Sequence, residues 1–189
     1  GVGLIKNFQN MITMDFKENK NHVLVIGKTE GHIDQSLFAR SVLDEINGPP
    51  PEINLFNEKN NGETLLKLIE KNYIKSAHDV SLGGIITALS KMCIKGNKGI
   101  NLNKPKFLIS TIEYFFSEDQ GRYIIEINPT DLKEVIKILE KNAVHFDELG
   151  IIEEKYMTIN EKTKVTIDEL KTYNTCLLYT SPSPRDSGK

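Results

Sequence analysis

The sequence is poor in cysteine and in net charge. Its two cysteines, Cys93 and Cys176, lack metal-type spacing, and Cys93 falls in a helical pattern that indicates a buried free thiol. The 24 basic and 26 acidic residues nearly cancel, which gives no strong field for nucleic acid or an anionic membrane. No apolar run approaches the roughly 20 residues of a membrane span, and no signal peptide is visible. We therefore expect a cytoplasmic protein that binds neither nucleic acid nor membrane.

Familiar catalytic signatures are missing as well. The chain has no HExxH, no GxSxG and no basic-aromatic stripe for RNA. The segment "TEGHIDQS" (29–36) is a strand–glycine–helix junction, but it lacks both the dinucleotide-loop spacing and the P-loop GK[ST]. Asp34 or Ser36 is better explained there as a helix cap. The residues alone thus identify no catalytic residue and no metal ligand.

Hydrophobic periodicity predicts interleaved strands and helices. Strands are predicted at 22–27, 73–79 and 121–128, as two short segments around Gly150 within 143–160, and at the start of 163–171. Helices are predicted at 35–46 (with Phe38, Val42 and Ile46 at helical spacing), 61–72, 84–95, 129–142 and the end of 163–171. Three prolines make 47–55 an extended loop, and 96–110 gives only a weak pattern. This order predicts an α+β fold: a mixed or antiparallel sheet with helices mainly on one face.

Three helix starts carry capping residues. Ser81 is placed to cap the helix that begins at residue 84. Asp131 with Glu134, and Thr166 with Glu169, have the spacing of capping boxes.

The segment "HDVSLGG" (78–84) is the first candidate ligand site. A strand–helix junction gathers free backbone N–H groups and the positive end of the helix dipole, and glycine lets the backbone approach an anion. Asp79 could hold a metal or orient His78. Alternatively, Ser81 only caps the helix and Asp79 bonds the turn backbone. The candidate nucleotide- or phosphate-binding residues are His78, Asp79, Ser81, Gly83 and Gly84.

The segment "FFSEDQGRY" (115–123) is the second candidate. Its polar residues enter a strong strand, where they can reach a ligand or an interface; they are Glu118, Asp119, Gln120 and Arg122. The alternative is a solvated turn in which Arg122 pairs with Glu118 or Asp119, a contact worth little if exposed.

Six segments together resemble one family. In chain order they are "GVGLI", "GKTEGHIDQSLFAR", "INGPPPEINL", "NGETLLKLI", "AHDVSLGGIITALSKM" and "FFSEDQGRYIIEI". Over about residues 1–170 they are similar to the C-terminal part of phosphoribosylformylglycinamidine synthase, the free-standing bacterial synthetase subunit of the AIR-synthetase superfamily. The resemblance implies a purine-biosynthesis ligase that uses ATP and Mg²⁺ to activate the amide oxygen of formylglycinamide ribonucleotide. Ammonia from a glutaminase subunit then displaces phosphate, and a small accessory subunit is also expected.

The resemblance further implies a division of the chain. Residues 1–20 would end a preceding N-type domain and linker, and 21–174 would form an AIR-synthetase-like C-terminal domain. The family's catalytic histidine and main metal ligands lie in its first half, and a Gly-Asn-Val-Ser type loop that contacts ATP and Mg²⁺ would precede Gly1. This piece would therefore be inactive alone and would pack against other domains of the same chain.

The same resemblance assigns roles to both candidate segments. "HDVSLGG" would face an auxiliary nucleotide site or brace a domain interface, and Leu82 stands where the family commonly has Asp, which disfavours metal binding. "SEDQGRY" would be the second-half counterpart of a substrate-binding loop.

The C-terminal residues differ from the rest of the chain. Residues 175–189 change composition abruptly, and "CLLYTSPSPRD" resembles a translated sequencing adapter, so we expect a non-native or disordered tail.

Two alternative functions remain open. The first is another superfamily member, such as aminoimidazole ribonucleotide synthetase, selenophosphate synthetase or thiamine-monophosphate kinase, although the segments "GPPP" and "EDQGRY" argue against these enzymes. The second alternative is a non-catalytic α+β binding module.

Overall fold

Seven strands form one mixed sheet in the described part of the chain. The computed structural model describes residues 7–103, 109–160 and 163–180, and side chains up to 175. The strands are β1 (His22–Ile26), β2 (Ile74–Asp79), β3 (Gly99–Leu102), β4 (Tyr123–Ile127), β5 (Phe146–Glu153), β6 (Tyr156–Ile159) and β7 (Thr163–Thr166). Their order in the sheet is β2-β4-β1-β5-β3-β6-β7, and β3 and β6 are parallel while the other neighbours are antiparallel. The predicted α+β class and mixed sheet are confirmed.

Helices cover both faces of this sheet. They are α1 (Leu55–Glu70), α2 (Gly84–Gly96), α3 (Thr111–Phe116), α4 (Leu132–Lys141) and α5 (Ile167–Thr180), with a 3-10 turn at Phe8–Asn10 and a π-helical turn at Ala39–Leu43. One core holds buried side chains of α2, α3 and α5, and the other holds those of α1 and α4. The distribution is thus more even than the mainly one-sided arrangement expected.

Strand β1 shows why two helix layers are needed. Val23 and Val25 lie in the core with α2, whereas Leu24 and Ile26 lie in the core with α1. A strand that is apolar on both faces must be covered on both. In α2, Cys93 is fully buried, as predicted, and burial raises the pKa of its thiol to about 12.

The third strand and third helix lie in segments that gave no clear helix or strand pattern. β3 has only four residues, and its partners β5 and β6 follow it much later in the chain. α3 begins with a capping box in which Ser110 Oγ accepts from the Glu113 amide at 3.1 Å and the Glu113 carboxylate accepts from the Ser110 amide at 2.7 Å. Residues 104–108 of the weak segment lie outside the described residues.

The two strands predicted within residues 143–160 have different boundaries in the structure. Gly150 lies inside one continuous strand, β5, opposite a register shift between Val23 and Leu24, and β6 follows as a separate strand. The glycine was interpreted as a break, but it allows the close backbone approach of Asn101 in the neighbouring strand.

The helix predicted at 35–46 is much shorter. Ser36, rather than Asp34, caps it, because Ser36 Oγ accepts from the Ala39 amide at 3.1 Å. The π-helical turn then ends at Asp44, whose φ of 55° is left-handed.

The apolar stripe of that helix does not pack as a unit. Phe38 packs against Phe116, with ring centroids 4.9 Å apart and the rings tilted by 44°. Val42 and Ile46, which share its helical spacing, remain exposed.

Two of the other helix starts also differ from prediction. α1 begins at Leu55, six residues early, because the Asn54 side chain accepts from the Asn57 amide at 3.0 Å. Asp131 forms no capping hydrogen bond. The side chain of Asn128 bonds the Thr130 amide instead. At the start of α5, the predicted box is confirmed by reciprocal bonds between Thr166 and Glu169.

A buried carboxylate attaches the segment that precedes β1 to the sheet. Glu126 of β4 is fully buried and accepts from the amides of Lys17 (2.9 Å) and Glu18 (3.0 Å), from Asn21 Nδ2 (2.7 Å) and from Ser76 Oγ (2.7 Å). Residues 17–21 are therefore bonded to the domain. Residues 1–6, which include "GVGLI", and 181–189 of the expected tail lie outside the described residues, while α5 runs past the expected boundary at 175.

Candidate functional site

Three loops meet at one end of the sheet. β1 and β2 both run antiparallel to β4, which lies between them, so both end where β4 begins. The segments at 27–36, 79–84 and 117–122 are therefore neighbours, and they contain both predicted groups of site residues.

Glu118 occupies the start of α2. Its Oε1 accepts from the Gly83 amide at 2.8 Å and from the Leu37 amide at 2.7 Å. A carboxylate at a helix N-terminus satisfies a free amide and complements the helix dipole. The anion-friendly junction predicted at 78–84 is thus bound by a carboxylate of the same chain.

Asp119 fills a second group of backbone amides. Its Oδ2 accepts from Glu30 and Gly31 at 3.1 Å each, and its Oδ1 accepts from His32 at 3.2 Å. Successive amides of this kind form a concave anion site. Asp119 therefore fixes the 30–32 turn against β4.

Arg122 is buried beneath both loops. Its Nε donates to the Asp119 carbonyl at 3.0 Å, Nη2 to the Ser117 carbonyl at 2.7 Å, and Nη1 to Thr29 Oγ1 at 3.1 Å. Burial lowers the pKa of the guanidinium, and the nearby Asp119 charge, 3.7 Å away, opposes that shift. One alternative from the sequence was a solvated turn in which Arg122 pairs with an acidic neighbour. Arg122 does pair with Asp119, but both side chains are buried.

His78 and Asp79 form a pair at the end of β2. His78 Nδ1 lies 3.0 Å from Asp79 Oδ1, so Asp79 orients the imidazole. The His78 side chain is only 10% exposed, and its buried Nε2 has no partner among the described residues, whereas the Asp79 side chain is 65% exposed.

Ser81 does not cap α2. The N-cap residue is Gly83, Ser81 is exposed, and the Ser81 carbonyl accepts from the Gly84 amide at 3.0 Å. The capping prediction was wrong because a carboxylate from residue 118 supplies the acceptor that Ser81 was expected to provide.

The glycine pair serves backbone packing. Gly83 and Gly84 have φ of 81° and 70°, a region that side chains disfavour. A Cβ on Gly84 would lie 2.5 Å from the Ser117 carbonyl oxygen and 2.7 Å from that of Phe115. The pair therefore lets α2 start directly against the end of α3.

A cavity of about 730 Å³ opens beside these loops. It lies between the 27–32 turn, the loop before α1, the first turns of α1, and residues 119–121 and 143–145. Of the predicted site residues, Asp119 and Gln120 line it, and those at 78–84 do not. Of the two predicted groups of site residues, only the one at 118–122 contributes to the cavity wall.

The wall formed by α1 was missed from the sequence. Asn54, Asn57, Glu58 and Asn61 follow one helical face and line the cavity. Their spacing of three, four and seven residues was a detectable polar stripe, but the helix was predicted to begin only at residue 61.

The described residues contain no candidate metal cluster and no candidate membrane-spanning helix. A divalent cation such as Mg²⁺ needs several convergent oxygen ligands, and the described residues contain no cluster of three His, Cys, Asp or Glu side chains that could supply them. Among the helices in the same residues, none is long and apolar enough to cross a bilayer.

Comparison with known families decides the classification. A family model described as AIR synthase related protein, C-terminal domain, matches residues 20–160. The chain belongs to this family. The AIR-synthase resemblance found in the sequence is confirmed.

Curated relatives of this AIR-synthase-type chain are much longer than it is. Phosphoribosylformylglycinamidine synthase subunit PurL of Pelagibacter ubique is 71% identical over 170 residues, which is 90% of this chain and 23% of the relative. The subunit PurL of Bartonella quintana is 34% identical over the same shares of both chains. The chain spans about a quarter of the length of these relatives.

Solved structures share the fold. T. maritima PurL complexed with FGAR superposes with a TM-score of 0.72 at 19% identity, over 86% of this chain and 30% of that one. Thiamine-monophosphate kinase from Stenotrophomonas maltophilia gives 0.53 at 13% identity, over 76% and 50%. The fold of this domain is therefore shared with parts of both solved structures.

Proposed function

We propose that this chain is the second AIR-synthase-type C-terminal domain of a phosphoribosylformylglycinamidine synthase, an ATP-dependent carbon–nitrogen ligase. The observation that carries the proposal is the 71% identity to PurL of Pelagibacter ubique over 90% of the chain. Thiamine-monophosphate kinase is less favoured, because its structure superposes with a TM-score of 0.53 against 0.72 for PurL.

The proposed reaction proceeds in two steps. The amide oxygen of formylglycinamide ribonucleotide attacks the γ-phosphorus of ATP, which forms an iminophosphate and releases ADP. Ammonia then adds to the activated carbon, and phosphate leaves to give the amidine. Mg²⁺ would neutralise the phosphates, and ammonia would come from a glutaminase subunit, with a small accessory subunit joining the cytoplasmic complex.

This piece would serve the reaction without performing it. Glu118, Asp119 and Arg122 all bond backbone or side-chain groups of their own domain. The proposed boundaries are the end of a preceding N-type domain and linker at 1–20, the C-terminal domain at 21–174 and a non-native or disordered tail at 175–189.

The proposal is tested with the full-length polypeptide recovered from its source. Incubated with formylglycinamide ribonucleotide, ATP, Mg²⁺ and ammonium, it should form the amidine and ADP in equal amounts, as measured by mass spectrometry. Residues 1–174 alone should give none. Phosphorylation of thiamine monophosphate, or ATP turnover without amidine, would refute the assignment.

We further propose that His78–Gly84 borders an auxiliary nucleotide rather than the reacting substrate. Asp79 is its exposed charged group, and His78 Nε2 is a buried ring nitrogen without a hydrogen-bond partner among the described residues. The Gly83 amide already donates to Glu118. The side chains of His78 and Asp79 are therefore the groups of this segment that could contact a ligand.

Replacing Asp79 with alanine in the full-length enzyme should therefore weaken retention of tightly bound nucleotide by about tenfold, while kcat changes by less than about twofold. Nucleotide content after gel filtration and steady-state rates measure both. Asp168→Ala, at an exposed aspartate on α5, is the matched control. A large loss of kcat in a normally folded Asp79→Ala enzyme would contradict the auxiliary role.

A further inference from the structure

The sequence contains two Asn-Gly dipeptides, Asn47–Gly48 and Asn61–Gly62. Asparagine is a thermolabile residue, because the backbone nitrogen of the next residue can attack its side-chain amide. Glycine hinders that approach least, since it has no side chain and allows many backbone conformations. The reaction requires a backbone nitrogen that is not held in a hydrogen bond and a chain that can bring it to the side chain. The two dipeptides differ in both respects.

Asn47–Gly48 lies in the loop between the π-helical turn and α1. Both residues are exposed, and neither belongs to a helix or a strand. Within the described part of the chain, the Gly48 amide and the Asn47 side chain form no hydrogen bond. The bonds to this loop go to carbonyls instead, because Gln35 Nε2 donates to those of Ile46 at 2.7 Å and Gly48 at 3.1 Å. The attacking nitrogen and its target are therefore both available.

Asn61–Gly62 lies inside α1 and is protected. The Asn61 residue is only 6% exposed, and its Nδ2 donates to the Gly121 carbonyl at 3.0 Å. In a helix interior the glycine amide is bonded to the carbonyl four residues earlier, and the backbone is fixed. The fold thus withholds from this dipeptide the freedom that the loop leaves to Asn47–Gly48.

The structure also explains why position 48 carries glycine. Gly48 has a φ of 89°, a left-handed conformation that side chains disfavour. A Cβ at this position would overlap the carboxylate of Asp34. The loop therefore requires a glycine, and the reactive dipeptide comes with it.

We propose that Asn47 is a site of spontaneous deamidation. The Gly48 nitrogen bonds to Asn47 Cγ, the Cγ–Nδ2 bond breaks, and the side-chain nitrogen leaves as ammonia with the proton that Gly48 loses. One water then opens the resulting succinimide. Cleavage of the bond to Cγ gives aspartate, and cleavage of the bond to the backbone carbonyl carbon gives isoaspartate. The reaction needs no enzyme, oxidant or cofactor, and the proposal is independent of the proposed function.

The modified loop borders the cavity. Either product places a new carboxylate beside Gly48, which already packs against Asp34, and isoaspartate lengthens the main chain by a methylene group. The Pro49 carbonyl accepts from His32 Nε2 at 2.9 Å, and Pro51 lines the cavity. Deamidation at Asn47 would therefore shift one wall of the cavity as the protein ages.

The test compares the two dipeptides within the full-length polypeptide. The folded protein is incubated at neutral pH, and mass spectrometry with peptide fragmentation follows the replacement of the side-chain NH2 by OH at Asn47 and Asn61. An isoaspartate-specific methyltransferase then labels the rearranged product. Asn47 should react at least about tenfold faster than Asn61 and give both aspartate and isoaspartate. In urea, where the fold is lost, the two sites should react at similar rates.

Three results would overturn the proposal. Equal rates at both sites in the folded protein would show that the loop gives Asn47 no special reactivity. Aspartate without isoaspartate would indicate direct hydrolysis instead of attack by Gly48. In an Asn47→Gln variant, whose longer side chain closes a ring much more slowly, an unchanged mass shift in the same peptide would place the reaction at another residue. These readouts do not involve turnover, so they stand whether or not the protein is a ligase.

Discussion

Replacing Arg122 with methionine should lower the free energy of unfolding by about 3–5 kcal/mol. Methionine retains most of the volume but leaves the buried Asp119 carboxylate without its cation and the Ser117 and Asp119 carbonyls without donors. Removing one member of a buried charged network lowers the stability by more than the intact network contributes to it, because the groups left behind stay desolvated. Urea denaturation, monitored by circular dichroism, measures the change.

Arg40→Met is the matched control for this experiment. Arg40 is exposed and bonds Gln35 at 3.3 Å, so its replacement should change stability by less than about 0.5 kcal/mol. Arg122→Lys should recover only part of the loss, because one ammonium cannot reproduce the fixed fork of a guanidinium. Equal stabilities of the Arg122 and Arg40 variants would rule out this role for Arg122.

Replacing Glu126 with alanine should also lower the free energy of unfolding by about 3–5 kcal/mol. The substitution removes the acceptor of four hydrogen bonds, from Lys17, Glu18, Asn21 and Ser76. Each donor left buried and unsatisfied costs about 1–3 kcal/mol, reduced where the freed segment reaches water. Denaturation measures the stability, and amide hydrogen exchange at Lys17 and Glu18 should accelerate selectively.

Glu134→Ala provides the comparison on an exposed helix face. Glu134 forms a 3.5 Å pair with Lys137 in solvent, and its loss should cost no more than about 0.5 kcal/mol. Unchanged exchange at Lys17 and Glu18 in the Glu126 variant would mean that the carboxylate does not hold this segment.

Local patterns were sufficient for the periodic elements. β1, β4, α2 and α4 were predicted because each carries a dense apolar pattern of one period. β3 could not be found this way, since its four residues acquire their role only by pairing with β5 and β6. The helix predicted at 35–46 has the right apolar spacing in the sequence. In the structure the left-handed Asp44 ends it early.

The candidate site was harder to predict than the fold. Both segments were correctly identified as loops at strand ends, and strand direction brings them together. The partners of Glu118 and Asp119 are backbone amides 35 to 89 residues away in sequence. Local propensity favoured Ser81 as the cap, and only tertiary structure reveals the competing carboxylate.

The chain just before the segment attached by Glu126 also covers part of one edge of the sheet. β2 is an edge strand, and Thr13 pairs with Ser76 while the Ala77 amide donates to the Thr13 carbonyl at 3.2 Å. An uncovered edge offers free amides and carbonyls to a strand of another molecule. Any treatment that detaches residues 13–21 would therefore create an aggregation-prone molecule while the rest of the sheet is still folded.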